Sequence, residues 1–393
     1  MKYHIDTQHN LCEFNMKISV IFMFLYNYFR IINFSNVNTV VNFSVVVTIS
    51  LYGLLLSLIP NLLFARYRWN LLYIFLAFVA IFLSNFDGVT NYVTIIITAA
   101  ALANHDIRPY VKAIFYSLIF GVVTILILRF SGFIPDRIAI SPRGVTRYSF
   151  GFGSARGLAE NYLTFSQLFI YLYFDRFKRS FLVILFIPML FINHFTDSRA
   201  SLLLTLLLFM TIWLLKTKGK SVKITLFLYR VANLAYSFSF IGIYLCSYFY
   251  KKSHFWNLVD SFVSSRFQFG RWYLNYFPPK FLGQQIPIDL SQDMLISQYN
   301  TNYLMLDSGY MTMLLEGGIM ITVVMSIIIL VTFKRMKDKN NDIGLLVWII
   351  SALNLFQTRF LNPATLEVLL LSQAFELTKK DNSNNLLSED KIE

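Results

Sequence analysis

Charge is scarce in this chain of 393 residues. Only 14% are Asp, Glu, Lys or Arg, where a soluble domain averages about 25%. The acids are the scarcer sign, 21 against 34 bases, which leaves a formal net charge of +13. Cysteine is nearly missing as well. Cys12 and Cys246 have neither CxxC nor metal-like spacing, which excludes a disulfide framework and a zinc site. There is no glycine-rich phosphate loop, no GxSxG elbow and no His/Asp/Glu set with metal-ligand spacing. The sequence thus gives no sign of nucleotide hydrolysis or metal chemistry, and no cofactor is expected.

Apolar residues fill the space. They make up 56% of the chain, with 40 Phe and 23 Tyr, and the mean hydropathy is +0.57. This composition predicts an all-α polytopic integral membrane protein. In such a protein, excess Lys and Arg anchor cytoplasmic loops, so the charge implies no nucleic-acid partner. The first apolar run lacks a small-residue cleavage site and is expected to be a retained helix.

About 20 apolar residues cross a bilayer as a helix. On that criterion the chain holds about twelve spans: roughly 16–33, 39–64, 70–85, 89–104, 109–129, 158–174, 180–196, 199–215, 224–250, 308–333, 342–358 and 361–377. Every second loop is short and basic. Arg66 and Arg68, then Arg108 and Lys112, then Arg176, Lys178 and Arg179 mark three of them. Lys216, Lys218, Lys220 and Lys223, then Lys334, Arg335, Lys337 and Lys339, then Lys379 and Lys380 mark the rest. That alternation puts both termini in the cytoplasm. The whole of 1–380 reads as one transmembrane domain, followed by a polar cytoplasmic tail over 381–393.

Two outer loops are long, 130–157 and 251–307. Connections of that length are functional or disordered, and their aromatic content argues for order. From Phe255 to Phe267 the apolar residues recur at helical spacing, which predicts an amphipathic helix on the membrane surface, ended by Phe277-Pro278-Pro279. The stretch Arg129 to Asn161 carries five arginines and no lysine. Guanidinium forks hold phosphate in a bidentate way and keep their charge near a low-dielectric surface. Arg143, Arg147, Arg156, Arg199, Arg266 and Arg271 are therefore candidate diphosphate ligands. For any one of them, snorkelling to headgroups or pairing with a nearby acid is the plainer alternative. Asp197 sits flush with a membrane helix, where charge is costly and often functional, with pairing to Arg199 or Arg156 as the structural alternative. Glu160 near the start of span six, Asp307 at span ten and His254 in the second loop complete the candidates for acid–base work. Glu316 falls within a span and must face protein, and Gly317-Gly318 beside it allows a kink or close helix approach.

These features resemble the Wzy-type polysaccharide polymerases, relatives of the O-antigen ligases. The resemblance rests on Arg147-Tyr148-Ser149-Phe150-Gly151-Phe152, on Thr196-Asp197-Ser198-Arg199-Ala200, and on Arg266 through Trp272 with Phe281-Leu282-Gly283 after it. Leu306-Asp307-Ser308-Gly309-Tyr310 through Leu315 and Gly317 adds to it, and it covers roughly 129–330. Where many members carry a His-Pro-Asn-like triplet, this chain has Gly153-Ser154-Ala155-Arg156, so acceptor orientation would fall to Arg156 or Asn161. The resemblance implies glycosyl transfer in the bacterial cytoplasmic membrane without nucleotide sugar, metal or other cofactor. The donor is a glycan on undecaprenyl diphosphate, and the acceptor is a repeat unit on the same lipid. Partners implied are that lipid-linked oligosaccharide, membrane lipid, a chain-length regulator and a flippase. Glu160, Asp197, Asp307 and His254 stay open as the group that activates the acceptor. The rival readings are an O-antigen ligase, with the same donor, and a flippase that does no chemistry.

The loop assignment predicts a labelling pattern. A cysteine placed at Ser141 reacts with an impermeant thiol reagent in intact cells, and one at Thr217 does not. The reverse pattern would invert the topology.

Overall fold

The structure is a computed structural model. It describes residues 2–64, 87–103, 105–140, 145–219, 221–251, 253–262, 266–286, 306, 308–356, 358 and 362–376. The span expected at 70–85 lies outside the described residues, as do Arg143, Asp307 and the tail.

The elements in order are α1 (Lys2–Asn33), α2 (Ser44–Phe64), α3 (Asp87–Ala101), α4 (Arg108–Phe130), β1 (Ile138–Ile140), β2 (Thr146–Tyr148), α5 (Gly157–Tyr173) and α6 (Phe181–Thr196). There follow α7 (Arg199–Lys218), α8 (Val222–Phe249), α9 (His254–Phe262), α10 (Arg266–Tyr276), α11 (Gly309–Leu315), α12 (Gly318–Asp338), α13 (Asp342–Asn354) and α14 (Leu366–Leu371). Among the described residues the only sheet is the antiparallel ribbon β1–β2. Among the described residues four helices are long and apolar enough to cross a membrane: Arg108–Phe130, Arg199–Thr217, Val222–Phe249 and Gly318–Asp338. Shorter apolar helices accompany them, among them Phe181–Thr196 and Asp342–Asn354. Their outward faces carry Phe238, Val222, Ile127 and Met210, all well exposed. An apolar surface of that extent belongs against lipid or another protein.

Between apolar helices there is little hydrophobic drive in lipid, so side-chain hydrogen bonds and close packing select the pairs. The α1–α4 pair shows how. Ser19 Oγ meets the Tyr110 hydroxyl at 2.6 Å. Asn27 donates to Ser117 Oγ at 2.8 Å, and Tyr28 lies 3.3 Å from Thr124. Residue numbers rise together on both helices, so α1 and α4 run parallel. Elsewhere Gln167 on α5 donates to Ser351 on α13 at 3.0 Å, Thr225 on α8 donates to Asp342 at 2.6 Å, and Tyr236 on α8 meets Ser326 on α12 at 2.8 Å. Each such bond contributes roughly 0.6 kcal/mol in a membrane bundle.

These contacts gather the connections at two ends. At one end Lys216 donates to the Phe174 and Phe177 carbonyls, and Lys339 pairs with Glu376. At the other, residues 34–36 bond to 151–153, and the second long loop meets a break between α11 and α12.

That break replaces the unbroken span expected over 308–333. Gly318 adopts φ +81° and the chain turns. Ile319 N donates to Lys280 O at 3.1 Å, Met320 N to Phe281 O at 3.1 Å, and Gln284 N to Glu316 O at 3.3 Å. The loop backbone thereby supplies the partners that helical geometry would have supplied, which an apolar surrounding requires. A Cβ on Gly318 would lie 2.1 Å from Gly283 N, and one on Gly283 would lie 2.1 Å from Glu316 O.

Two glycine variants separate this contact from a generic glycine effect. Gly318→Ala is predicted to destabilise by more than about 1 kcal/mol, because both the backbone conformation and the space are incompatible. Gly242→Ala, on α8 with nothing within 4 Å of a new Cβ, should be neutral or stabilise by up to about 1 kcal/mol. Apparent melting temperatures of the purified proteins in detergent check both; equal shifts in the two variants would refute the docking role.

Candidate functional site

On either side of 141–144, the described parts of the first long loop are held by hydrogen bonds and packing that centre on Arg147–Phe152. β1 and β2 pair with Ile138 opposite Tyr148 and Ala139 opposite Arg147. Beyond β2, Ser149 is fully buried. Its hydroxyl donates to Asp136 Oδ1 at 2.7 Å and accepts from Arg137 N at 2.9 Å. Arg129 Nε lies 3.2 Å from the other Asp136 oxygen. Burial alone would push the Asp136 carboxyl up, but the Ser149 hydrogen bond and the Arg129 charge outweigh it and hold it below the usual range.

Phe150 and Gly151 then take consecutive left-handed conformations, φ 52° and 82°. Glycine is required at the second, where a Cβ would come within 2.9 Å of Ile134 and 3.1 Å of Arg129. The turn lets Gly151 O accept from Asn36 N at 2.8 Å and buries Phe152. It also lays Tyr148 and Phe150 edge-on against Phe195 of α6, with centroids at 6.3 and 5.8 Å.

That packing delivers Arg147 to the corner between α6 and α7. α6 ends at Thr196, and Asp197 turns the chain at φ 45°. Arg147 donates to Asp197 Oδ2 at 3.0 Å, and Arg199, in the first turn of α7, donates to Oδ1 at 3.2 Å. The carboxylate is thus shared between two guanidiniums from chain segments about fifty residues apart, and it is itself only 11% exposed. Arg199 is 63% exposed. Three buried polar atoms of the same corner, Asn193 Oδ1, Ser198 Oγ and Arg147 Nε, have no hydrogen-bond partner among the described residues. Unpaired buried polar atoms are costly, so this corner is built with spare capacity.

Arg156 and Glu160 lie close by. They approach to 3.8 Å across one turn of α5. Between them, Ala159 packs with Met189 and Ile192 of α6, joined by Leu202 of α7. This small apolar cluster ties the first turn of α5 to the Asp197 corner. Asn161 turns its amide onto its own helix, to Gly157 O at 2.7 Å.

The second loop forms a separate group. The sequence predicts one amphipathic helix over 255–267, whereas two are found, α9 and α10. Asp260 is the reason. Its carboxylate accepts from Phe267 N at 2.8 Å and Gln268 N at 3.3 Å, so it caps α10 from α9. Burial raises the Asp260 carboxyl above its ordinary range against the pull of those two donors and Arg266. Phe255 and Leu258 remain exposed while Asp260 is buried, so α9 turns apolar residues outward. Arg266 is buried. Arg271 donates to Tyr248 O and sits over the Tyr248 ring at 5.5 Å. His254 stands exposed at the start of α9.

The structure therefore brings together Arg147, Asp197 and Arg199, and the Ala159 cluster joins the turn that carries Arg156 and Glu160 to α6 and α7. It places Arg266 and Arg271 in the second loop with His254. Arg143 and Asp307 lie outside the described residues. Among the described residues no three His, Cys, Asp or Glu side chains gather as a metal would need. Sequence reasoning passed over Ser149 and Asp136, whose only signal was the Ser-Phe-Gly step. It left Glu316 outside the site, although that residue now stands where the second loop meets the break, with Tyr92 packed beside Gly317. No family model, curated protein or solved structure matches this chain.

Asp136 and Asp260 predict opposite acid responses in the two loops. The folded Asp136 value lies below the unfolded one. Its contribution is present above the ordinary carboxylate range and is lost as pH falls through the depressed folded value. The folded Asp260 value lies above the unfolded one, so its contribution is present below the ordinary range and is lost as pH rises through the raised folded value. On acidification from neutrality, protease cleavage in 253–277 should slow, and cleavage in 131–153 should later speed up. Asp260→Asn and Asp136→Asn should each abolish the response of their own loop. Loops that respond with the same sign would contradict these assignments.

Proposed function

We propose that this protein is a polysaccharide polymerase of the bacterial cytoplasmic membrane, with about twelve spans, both termini inside and the arginine-rich end outside. It joins repeat units carried on undecaprenyl diphosphate. The observation that carries the reading is the corner where Arg147 and Arg199 share Asp197. Two guanidiniums against one carboxylate leave an excess positive charge at the end of an apolar helix pair. Arg199 also lies in the first turn of α7, where helix N–H groups favour an anion.

In the proposed reaction the acceptor sugar hydroxyl attacks the anomeric carbon of the donor glycan. The new glycosidic C–O bond forms as the bond from that carbon to the lipid diphosphate breaks. The electron pair leaves on the diphosphate, and the hydroxyl proton passes to a carboxylate. Charge grows on the leaving diphosphate, so cations already aimed there stabilise the transition state more than the ground state. Asp197 positions the two arginines. Glu160, on the adjoining turn of α5, is the carboxylate we assign to the acceptor, with Arg156 orienting it. Arg266 and Arg271 in the second loop serve the acceptor's own lipid diphosphate. The packing that holds Arg147 in place, through Ser149, Asp136 and Phe195, supports this reading, since a clamp for a transition state must be aimed before substrate arrives.

The test is glycan length in a strain that lacks the protein and is complemented by variants. Wild type restores long chains. Arg147→Ala and Arg199→Ala, present in the membrane at normal level, are each expected to lower polymer about a hundredfold or more while single repeat units still reach the outer face. Full-length polymer in both variants would overturn the clamp. Long chains that stay on the lipid in the deletion strain would make the protein a ligase. Lipid-linked units trapped inside would make it a transporter.

A further inference from the structure

Helices α6 and α7 form a hairpin with the Asp197 corner at one end. At the other end lies an open cavity of about 490 Å³, lined by Phe177, Lys178, Arg179, Ser180, Trp213 and Lys216. Three of these six side chains are cationic. Lys216 is held in place, its ammonium donating to the Phe174 and Phe177 carbonyls and lying 4.2 Å from the Phe177 ring centre. Arg179 lies over the Trp213 ring at 5.4 Å. The acid that acts on Lys216 electrostatically is Asp175, which leaves the cations in excess.

Apolar surface continues from this cavity along both helices. Ile184, Ile187 and Phe191 are exposed on α6, and Leu207, Met210 and Leu214 on α7. Their spacing of three or four residues keeps each row on one face. Over Arg199–Thr217, α7 is long and apolar enough to cross a bilayer, and Trp213 and Lys216 lie in its last turns. The cavity thus sits where lipid headgroups lie, with an apolar track running from it toward the middle of the membrane. A tryptophan at its rim fits the same depth.

We propose that this cavity binds the headgroup phosphate of an anionic phospholipid, with the acyl chains laid along the α6–α7 face. A free phosphate would use the three cations and leave the track unused. A zwitterionic lipid would use the track and bring its own ammonium to the cations. The site stands apart from the arginine corner, and neither proposal depends on the other.

The experiment uses full-length protein purified in detergent, incubated with phosphatidylglycerol or phosphatidylcholine and examined by native mass spectrometry. Retention of phosphatidylglycerol over phosphatidylcholine is expected. Lys178→Gln with Arg179→Gln should weaken retention about thirtyfold, two cations' worth, and this pair leaves the Lys216 cap of the fold intact. Brominated phosphatidylglycerol in nanodiscs should quench wild-type fluorescence more than that of Trp213→Phe. Equal retention of both lipids, full retention by the double variant, or equal quenching would overturn the site. Displacement of bound lipid by inorganic phosphate at matched ionic strength, with no preference between lipid and phosphate, would assign it to the free anion instead.

Discussion

A peptide group that leaves helical geometry within apolar surroundings must find another partner, because no water is there to accept it. The arginine-rich end of this bundle is arranged around that requirement. The first loop is secured when Asn36 and Gly153 exchange backbone bonds with Gly151 and Phe34. The second is secured when Lys280, Phe281 and Gln284 bond to the peptide groups around Gly317 and Gly318. In both places a glycine lets two backbones approach: Gly153 against Phe34 O in the first, and the left-handed pair Gly283 and Gly318 in the second. The positions of Arg147 and Glu316 are consequences of these backbone contacts. A side chain can be aimed only as well as the chain that carries it is held.

The two ends of the hairpin α6–α7 use cations differently. At the Asp197 corner the cations are arginines that share one buried carboxylate. At the far end Lys216 is capped by carbonyls and aromatic faces. The difference follows from geometry. A carboxylate with two oxygens can orient two planar forks at once, which fixes direction. A lysine ammonium is a point charge that tolerates carbonyls and rings but fixes no plane. Under the proposed function, recognition of developing charge on a diphosphate calls for the first arrangement. A site that holds a headgroup needs only the second.

Part of the fold was legible because apolar run length is a local signal. The helices over 44–64, 108–130, 199–218 and 222–249 follow the apolar runs within a few residues at most ends. The limits of that reading are equally physical. The break at Gly318 cost the prediction an unbroken span, since Gly317-Gly318 looks the same whether it merely kinks or receives the loop segment Lys280–Gln284. The split of α9 from α10 was hidden because periodicity from Phe255 to Phe267 is continuous, while Asp260 acts through hydrogen bonds that periodicity does not record. Arg147 and Asp197 were both chosen from the sequence. Their pairing was not, because nothing local in Arg-Tyr-Ser-Phe-Gly-Phe says that Phe195 will receive Tyr148 and Phe150.

Those aromatic contacts decide how the Asp197 corner can fail. Arg147 reaches Asp197 from a two-stranded ribbon, and such a ribbon is marginal on its own. Its order therefore comes from what it packs on: Phe195 on one side, and the Asp136–Ser149–Arg129 set beneath the turn. Loosening either support would leave Arg147 chemically intact but no longer aimed. Loss of function at Ser149 or Phe195 would then resemble loss of function at Arg147 itself, although neither side chain carries charge. A charge-centred reading of the loop would take such residues for bystanders, whereas the structure makes them the reason that the charge is where it is.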